Sequence, residues 1–128
     1  MSYTIDRTIS GSTFDEVEQR TREALGKQGF GVLTEIDVQA TMKKKIGADM
    51  PRYLILGACN PQMAYKAIEM EPKVGAMLPC NVILREVGDG VEVSAVDPQA
   101  SMAEIGNQQL ATVAGDVRKL LEEAVRAI

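Results

Sequence analysis

The chain has neither histidine nor tryptophan among its 128 residues. Without histidine there is no imidazole base, no Ser-His or Cys-His pair and no histidine-ligated metal site. Aromatic residues are scarce, three Tyr and two Phe, so no stacking platform for nucleic-acid bases can be assembled. Positive charge is thin as well. The one cationic cluster is Lys43-Lys44-Lys45 in a chain of net charge −4 and pI about 4.9, which argues against nucleic acid as a partner. That trio reads more simply as the solvated end of a helix than as a docking patch. No apolar run approaches membrane-spanning length, so no membrane partner is expected. Met1 to Asp6 reads as the start of a strand rather than as a secretory leader. The two cysteines fit no CxxC or standard metal spacing. These absences together lead to the expectation of a cytoplasmic protein with reduced thiols.

What is present is ordinary for a folded domain. Hydrophobic residues make up 45% and charged residues 25%. At this length the chain forms one domain, residues 1–128, and buries roughly two-thirds of its unfolded surface without a disulfide staple.

Periodicity gives the elements. Residues 3–9 alternate as a strand. Thr13 and Glu16 form a capping box ahead of Phe14, Val17, Thr21, Ala24 and Leu25 at helical spacing, and Gly26 or Gly29 ends that helix. Val32, Thr34 and Ile36 alternate with Leu33, Glu35 and Asp37 in a second strand. Asp37 caps a short helix over residues 38–46, closed by Gly47. A third strand covers residues 53–59, a helix runs from Pro61 to about Glu69, and a strand spans 81–85. Gly88-Asp89-Gly90 is a hairpin turn before the return strand 91–95. A helical turn is expected near Met102 to Ile105, then a long helix over 108–127 with the stripe Leu110, Val113, Val117, Leu120, Leu121, Ala124 and Val125. This order predicts an α+β fold, a mostly antiparallel or mixed sheet of about five strands with helices packed on one face.

The chain is organised around Leu54-Ile55-Leu56-Gly57-Ala58-Cys59-Asn60-Pro61. Consecutive apolar residues followed by glycine suit a strand covered on both faces. Asn60 is a good N-cap, and Pro61 suits the first helical turn, where its missing N–H is no loss. A thiol at that junction lies near unpaired N–H groups, which favour a thiolate or a bound anion. The plainer alternative is a small buried hydrophobe, a common fate of free cysteine. Farther along, Leu78-Pro79-Cys80-Asn81 repeats the Cys-Asn pairing before a strand. The methionines Met63, Met70, Met77 and Met102 are scattered as gap-filling core residues are, rather than as a copper(I) motif, although Met77 and Cys80 are close in sequence.

Gly57-Ala58-Cys59-Asn60-Pro61, Ala64, Ala67, Glu71-Pro72, Leu78-Pro79-Cys80-Asn81-Val82, Gly90 and Val96-Asp97-Pro98 together resemble domain of unknown function family 302 (DUF302), over nearly the whole chain. The resemblance implies a sheet with helices on one side, similar to the TATA-box-binding-protein-like group, and a homodimer. It implies no DNA binding, because a fold does not carry a function. The family pattern includes both cysteines but supplies no catalytic residues and no cofactor.

The expected site is therefore a cluster of Cys59, Asn60, Cys80 and Asn81 near the start of the helix at Pro61, with Asp97 at the same rim. A small molecule or an anion is the ligand expected there. The alternatives are a thiol redox or soft-metal protein using Cys59 and Cys80, and a structural dimerisation domain. Two thiols are too few for a closed soft-metal site, so the residues assign no metal. No catalytic constellation is visible, which leaves enzymatic activity open.

Overall fold

The computed structural model describes residues 2–128; Met1, part of the opening stretch read above, lies outside them. Five strands form one sheet: β1 (Thr4–Ser10), β2 (Gly31–Asp37), β3 (Tyr53–Cys59), β4 (Cys80–Val87) and β5 (Gly90–Val96), in spatial order β1-β5-β4-β3-β2. Every pairing is antiparallel. The helices are α1 (Phe14–Lys27), α2 (Val38–Ile46), α3 (Pro61–Met70), α4 (Pro98–Met102) and α5 (Gln108–Arg126). Short 3₁₀ turns follow α3 (Pro72–Met77) and α4 (Ala103–Ile105). The α+β class holds, and among the described residues no strand pairing is parallel. The helical turn expected over Met102 to Ile105 is present as the 3₁₀ turn Ala103–Ile105, and a five-residue helix started by Pro98, which was not expected, precedes it. Among the described residues, no helix is long and apolar enough to cross a membrane.

Local chemistry sets the boundaries. Thr13 Oγ1 accepts from the Glu16 amide at 3.1 Å while the Thr13 amide donates to Glu16 Oε1 at 2.9 Å, the capping box that opens α1. Asp37, Asn60, Asp97 and Asn107 cap the other four helices. Gly29, with φ of +84°, takes the left-handed turn after α1 that a residue with a Cβ resists.

One face of the sheet is the core. Ile9 of β1, Leu54, Leu56 and Ala58 of β3, Cys80, Val82 and Leu84 of β4, and Val91, Val93 and Ala95 of β5 are buried against Phe14, Val17 and Leu25 of α1 and Val113, Val117, Leu121 and Val125 of α5. Arg7 also sits on this face. Its Nη1 donates to the carbonyls of Arg126 at 2.6 Å and Ile128 at 2.7 Å, so a strand side chain satisfies the end of α5. A second cluster of Ala67, Val74, Met102, Leu110 and Ala114 lies where α3, α4 and α5 meet. In the apolar segment after α3, Val74 belongs to that core, and Leu78 packs against it while also lining a cavity.

Two sequence expectations change. The central strand was expected to be covered on both faces. In this chain only Leu54, Leu56 and Ala58 meet the helix layer; Tyr53 and Ile55, on the opposite face, are half-buried. The alternation of Val32, Thr34 and Ile36 is also broken. A bulge at Leu33 pairs Val32 with Ala58 but Thr34 with Gly57 and Ile36 with Ile55. One extra residue sends Val32 to the core face and Ile36 to the open face.

Candidate functional site

The site is built where β3 and β4 end and α3 begins. Ala58 and Cys80 are cross-strand partners, so strand alternation puts Cys80 on the helix face with Leu56, Val82 and Leu84. Cys59 is the next residue along β3, at the register position opposite Gly31 of β2. The chain turns at once into α3. Asn60 Oδ1 accepts from the Met63 amide at 3.3 Å, and Pro61 occupies the first turn. The Asn60 side chain also lies against Gly29, where a Cβ would come 3.2 Å from Asn60 Nδ2.

A cavity of about 30 Å³ opens between the two apolar clusters. Phe30, Ala58, Cys59, Asn60, Met63, Ala64, Leu78, Pro79, Cys80 and Met102 contribute to its wall, and the remaining lining is aliphatic. No carboxylate, lysine or arginine is among the lining residues. The volume holds a water or an ion, not a metabolite of ordinary size.

The expected residues divide. Cys59, Asn60 and Cys80 meet at the cavity. Asn81 is exposed on the open face of the sheet, opposite Gly57, and borders a shallow hollow with Tyr53, Ile83, Arg85 and Val96. Asp97 is engaged elsewhere: its carboxylate accepts from the Gln99 amide at 2.9 Å and from Arg118 Nε at 3.0 Å, tying the start of α4 to α5. Met63 and Met102, read from the sequence as gap-filling core, are also part of the lining. They line the cavity although 39 positions separate them, and nothing local in the sequence joins them. Met77, nearest to Cys80 in sequence, is instead 46% exposed.

Burial governs the thiol chemistry. Desolvation, with a smaller push from the charge of a neighbouring Cys59 thiolate, raises Cys80 from the ordinary 9.0 to about 11. At neutral pH Cys80 is therefore a thiol and a poor nucleophile. The sign for stability follows. Below pH 9 folded and unfolded chains both keep this proton. Between 9 and about 11 the unfolded chain releases it and the folded chain does not, so the stability contribution from Cys80 is lost as pH rises. In a chromogenic thiol titration, half-buried Cys59 is expected to react first. Cys80 should react at least about a hundredfold more slowly at pH 8 in the folded chain than in the urea-unfolded chain, the fraction implied by a shift of that size. Equal rates for Cys80 in the two states would show that it is not desolvated.

Among the described residues, no three side chains of the His, Cys, Asp or Glu type gather as a metal cage. The arrangement offers a small apolar recess lined by sulfur-bearing residues, set beside a helix start where Asn60 satisfies the Met63 amide.

The fold and the recess define an α+β domain with one helix layer and a Cys-Asn junction at the sheet's end. The family described as domain of unknown function DUF302 matches residues 5–128, and the chain belongs to that family. A solved structure, the crystal structure of uncharacterized conserved protein DUF302 from Bacillus stearothermophilus, is similar in fold. Its TM-score is 0.93 at 24% identity, covering 99% of this chain and 98% of that one. No curated protein matches.

Proposed function

We propose that this protein is a small-ligand binding module whose site is the recess at the foot of α3. The observation that supports this reading is the convergence of both cysteines and the Asn60 cap on one partly enclosed apolar cavity. An anion is the less favoured ligand. Its charge would find carbon walls there, and the burial of an uncompensated charge costs far more than one helix end returns. Nucleophilic catalysis is also less favoured, since Cys80 keeps its proton and the lining offers no base.

Of the residues of α3, only Ala67 is fully buried. A ligand in the recess therefore acts on the most weakly anchored of the helices beside it, and the exposed Tyr65 and Ile68 carry the change outward. The reading takes the cytoplasm as the compartment, because Cys59 and Cys80 are free thiols. The net charge of −4 speaks against nucleic acid and anionic membrane as partners.

The test is a thermal-shift screen of ions and molecules of a few heavy atoms. Wild type is compared with Ala64→Leu, which fills the recess. A ligand at a hundred times its dissociation constant is expected to stabilise wild type by about 2.7 kcal/mol and the variant by much less. If no member of the panel favours wild type over Ala64→Leu, this reading is lost.

A second reading, compatible with the first, is homodimerisation through the open face of the sheet. Ile36, Ile55 and Ile83 form a row across β2, β3 and β4 there, on the side away from the helix layer. The apolar run of β3 has the composition of a strand covered twice, and a second copy of the chain supplies the missing cover. Sedimentation should give a dimer for wild type and a monomer for Ile83→Glu. A wild type that stays monomeric at high concentration removes this reading.

A further inference from the structure

Resting on the recess reading, we propose that its ligand is a monovalent soft cation, copper(I), held by the Cys80 sulfur with the thioethers of Met63 and Met102, and with Cys59 at the rim. Size, polarity and donor type agree. The recess holds about 30 Å³, enough for a bare ion and too little for a hydrated one. Apart from Asn60 its lining residues are apolar or sulfur-bearing, and thioethers are ligands for soft ions, not for magnesium or calcium.

Charge selects within the soft ions. One thiolate and one monovalent cation make a neutral pair, which an apolar recess accepts. A divalent zinc ion with one thiolate leaves a net positive charge among carbon atoms and lacks the four strong ligands it prefers. The step is an exchange without redox: the Cys80 S–H bond breaks, its proton leaves to solvent, and a copper–sulfur bond forms. Copper stays monovalent throughout. Both methionines also pack, Met102 within the second buried cluster and Met63 against the main core, so the role proposed here is added to packing.

The test uses the reduced full chain under anaerobic conditions, titrated with copper(I) against a chromophoric copper(I) chelator, with silver(I) as an air-stable probe and zinc as the control. One equivalent is expected to be retained, with one proton released per ion. Cys80→Ser and Cys80→Ala should abolish retention, with circular dichroism reporting that each folds. Met63→Leu and Met102→Leu keep the volume and should weaken retention about tenfold each, the loss equivalent to about 1.4 kcal/mol. Retention unchanged in both Cys80 variants, or zinc held as tightly as copper(I), overturns the proposal. If copper(I) and silver(I) are not held but another small ligand still distinguishes wild type from Ala64→Leu, the recess reading stands and the cation falls. If nothing distinguishes them, both fall.

Discussion

Leu84→Ala is expected to lower the unfolding free energy by about 2–5 kcal/mol, the range for leucine truncation in a packed core. Leu84 is in the middle of β4 with 0% of its surface exposed. Its cross-strand partners on the same face are Leu54 of β3 and Val93 of β5. Both flanking strands are fixed by their hydrogen-bond ladders, so the sheet cannot close over the space left behind, and the full cavity cost applies. For a domain of this size the loss should appear as a fall in Tm of about 4 °C per kcal/mol, and as a lower urea midpoint at unchanged slope.

The neighbouring Ile83 is the control. It points to the open face and is half-buried, so Ile83→Ala should cost the isolated chain only about 1 kcal/mol, in proportion to the smaller area it covers. Both variants are best measured across a range of protein concentrations. A cost at Ile83 that grows with concentration while that at Leu84 stays fixed is the behaviour expected if a second copy covers the open face. A Leu84→Ala variant as stable as wild type would mean that the helix layer does not pack on this face.

Gly57→Ala should destabilise by about 1–3 kcal/mol, although alanine is the smallest side chain that could be added. A Cβ there would lie 2.1 Å from Thr34 Oγ1 and 2.7 Å from Pro79 Cγ. Gly57 occupies the open face of β3, flanked by Thr34 on β2 and by the proline that leads into β4. The threonine can rotate away, since its Cβ stays at 3.4 Å, an ordinary contact. The proline ring has no such freedom. A double-mutant cycle separates the two contributions: Thr34→Ala in the Gly57→Ala background should recover part of the loss, and the remainder belongs to Pro79. Full recovery would show that Pro79 yields. An undiminished stability of Gly57→Ala alone would mean that the three residues do not meet. Because Pro79 and Cys80 are adjacent, any movement of the proline should also weaken whatever binds in the recess.

The contrast between these residues shows what was legible in the chain. The helix starts at Thr13, Asp37 and Asn60 were readable because a cap acts within three or four positions of itself. So were the Gly88-Asp89 hairpin and the stripe of α5. The one-sided burial of β3 was not readable, because a run of consecutive apolar residues reads as covered on both faces, whereas only Leu54, Leu56 and Ala58 meet the helices. The bulge at Leu33 was not readable, since a bulge is a property of two paired strands and only one is visible in a local pattern. For α2, cap and stop signals placed both ends correctly, yet its apolar stripe of Val38, Met42 and Ile46 has no fully buried member. Burial depends on what lies opposite, and periodicity cannot supply that.

The candidate site divides in the same way. By itself the sequence determined that this is an α+β domain with a capped helix start next to a thiol, and that histidine chemistry is excluded. Those are consequences of residue type and of spacings no longer than a helical turn. Only the tertiary structure decided that Cys80 shares a recess with Met63 and Met102, that Asn81 faces the other side of the sheet, and that Asp97 is bound to Arg118. Each of these is set by strand register and by the docking of α3 and α4 on α5. Such contacts join residues tens of positions apart, where no local preference of the chain distinguishes one partner from another.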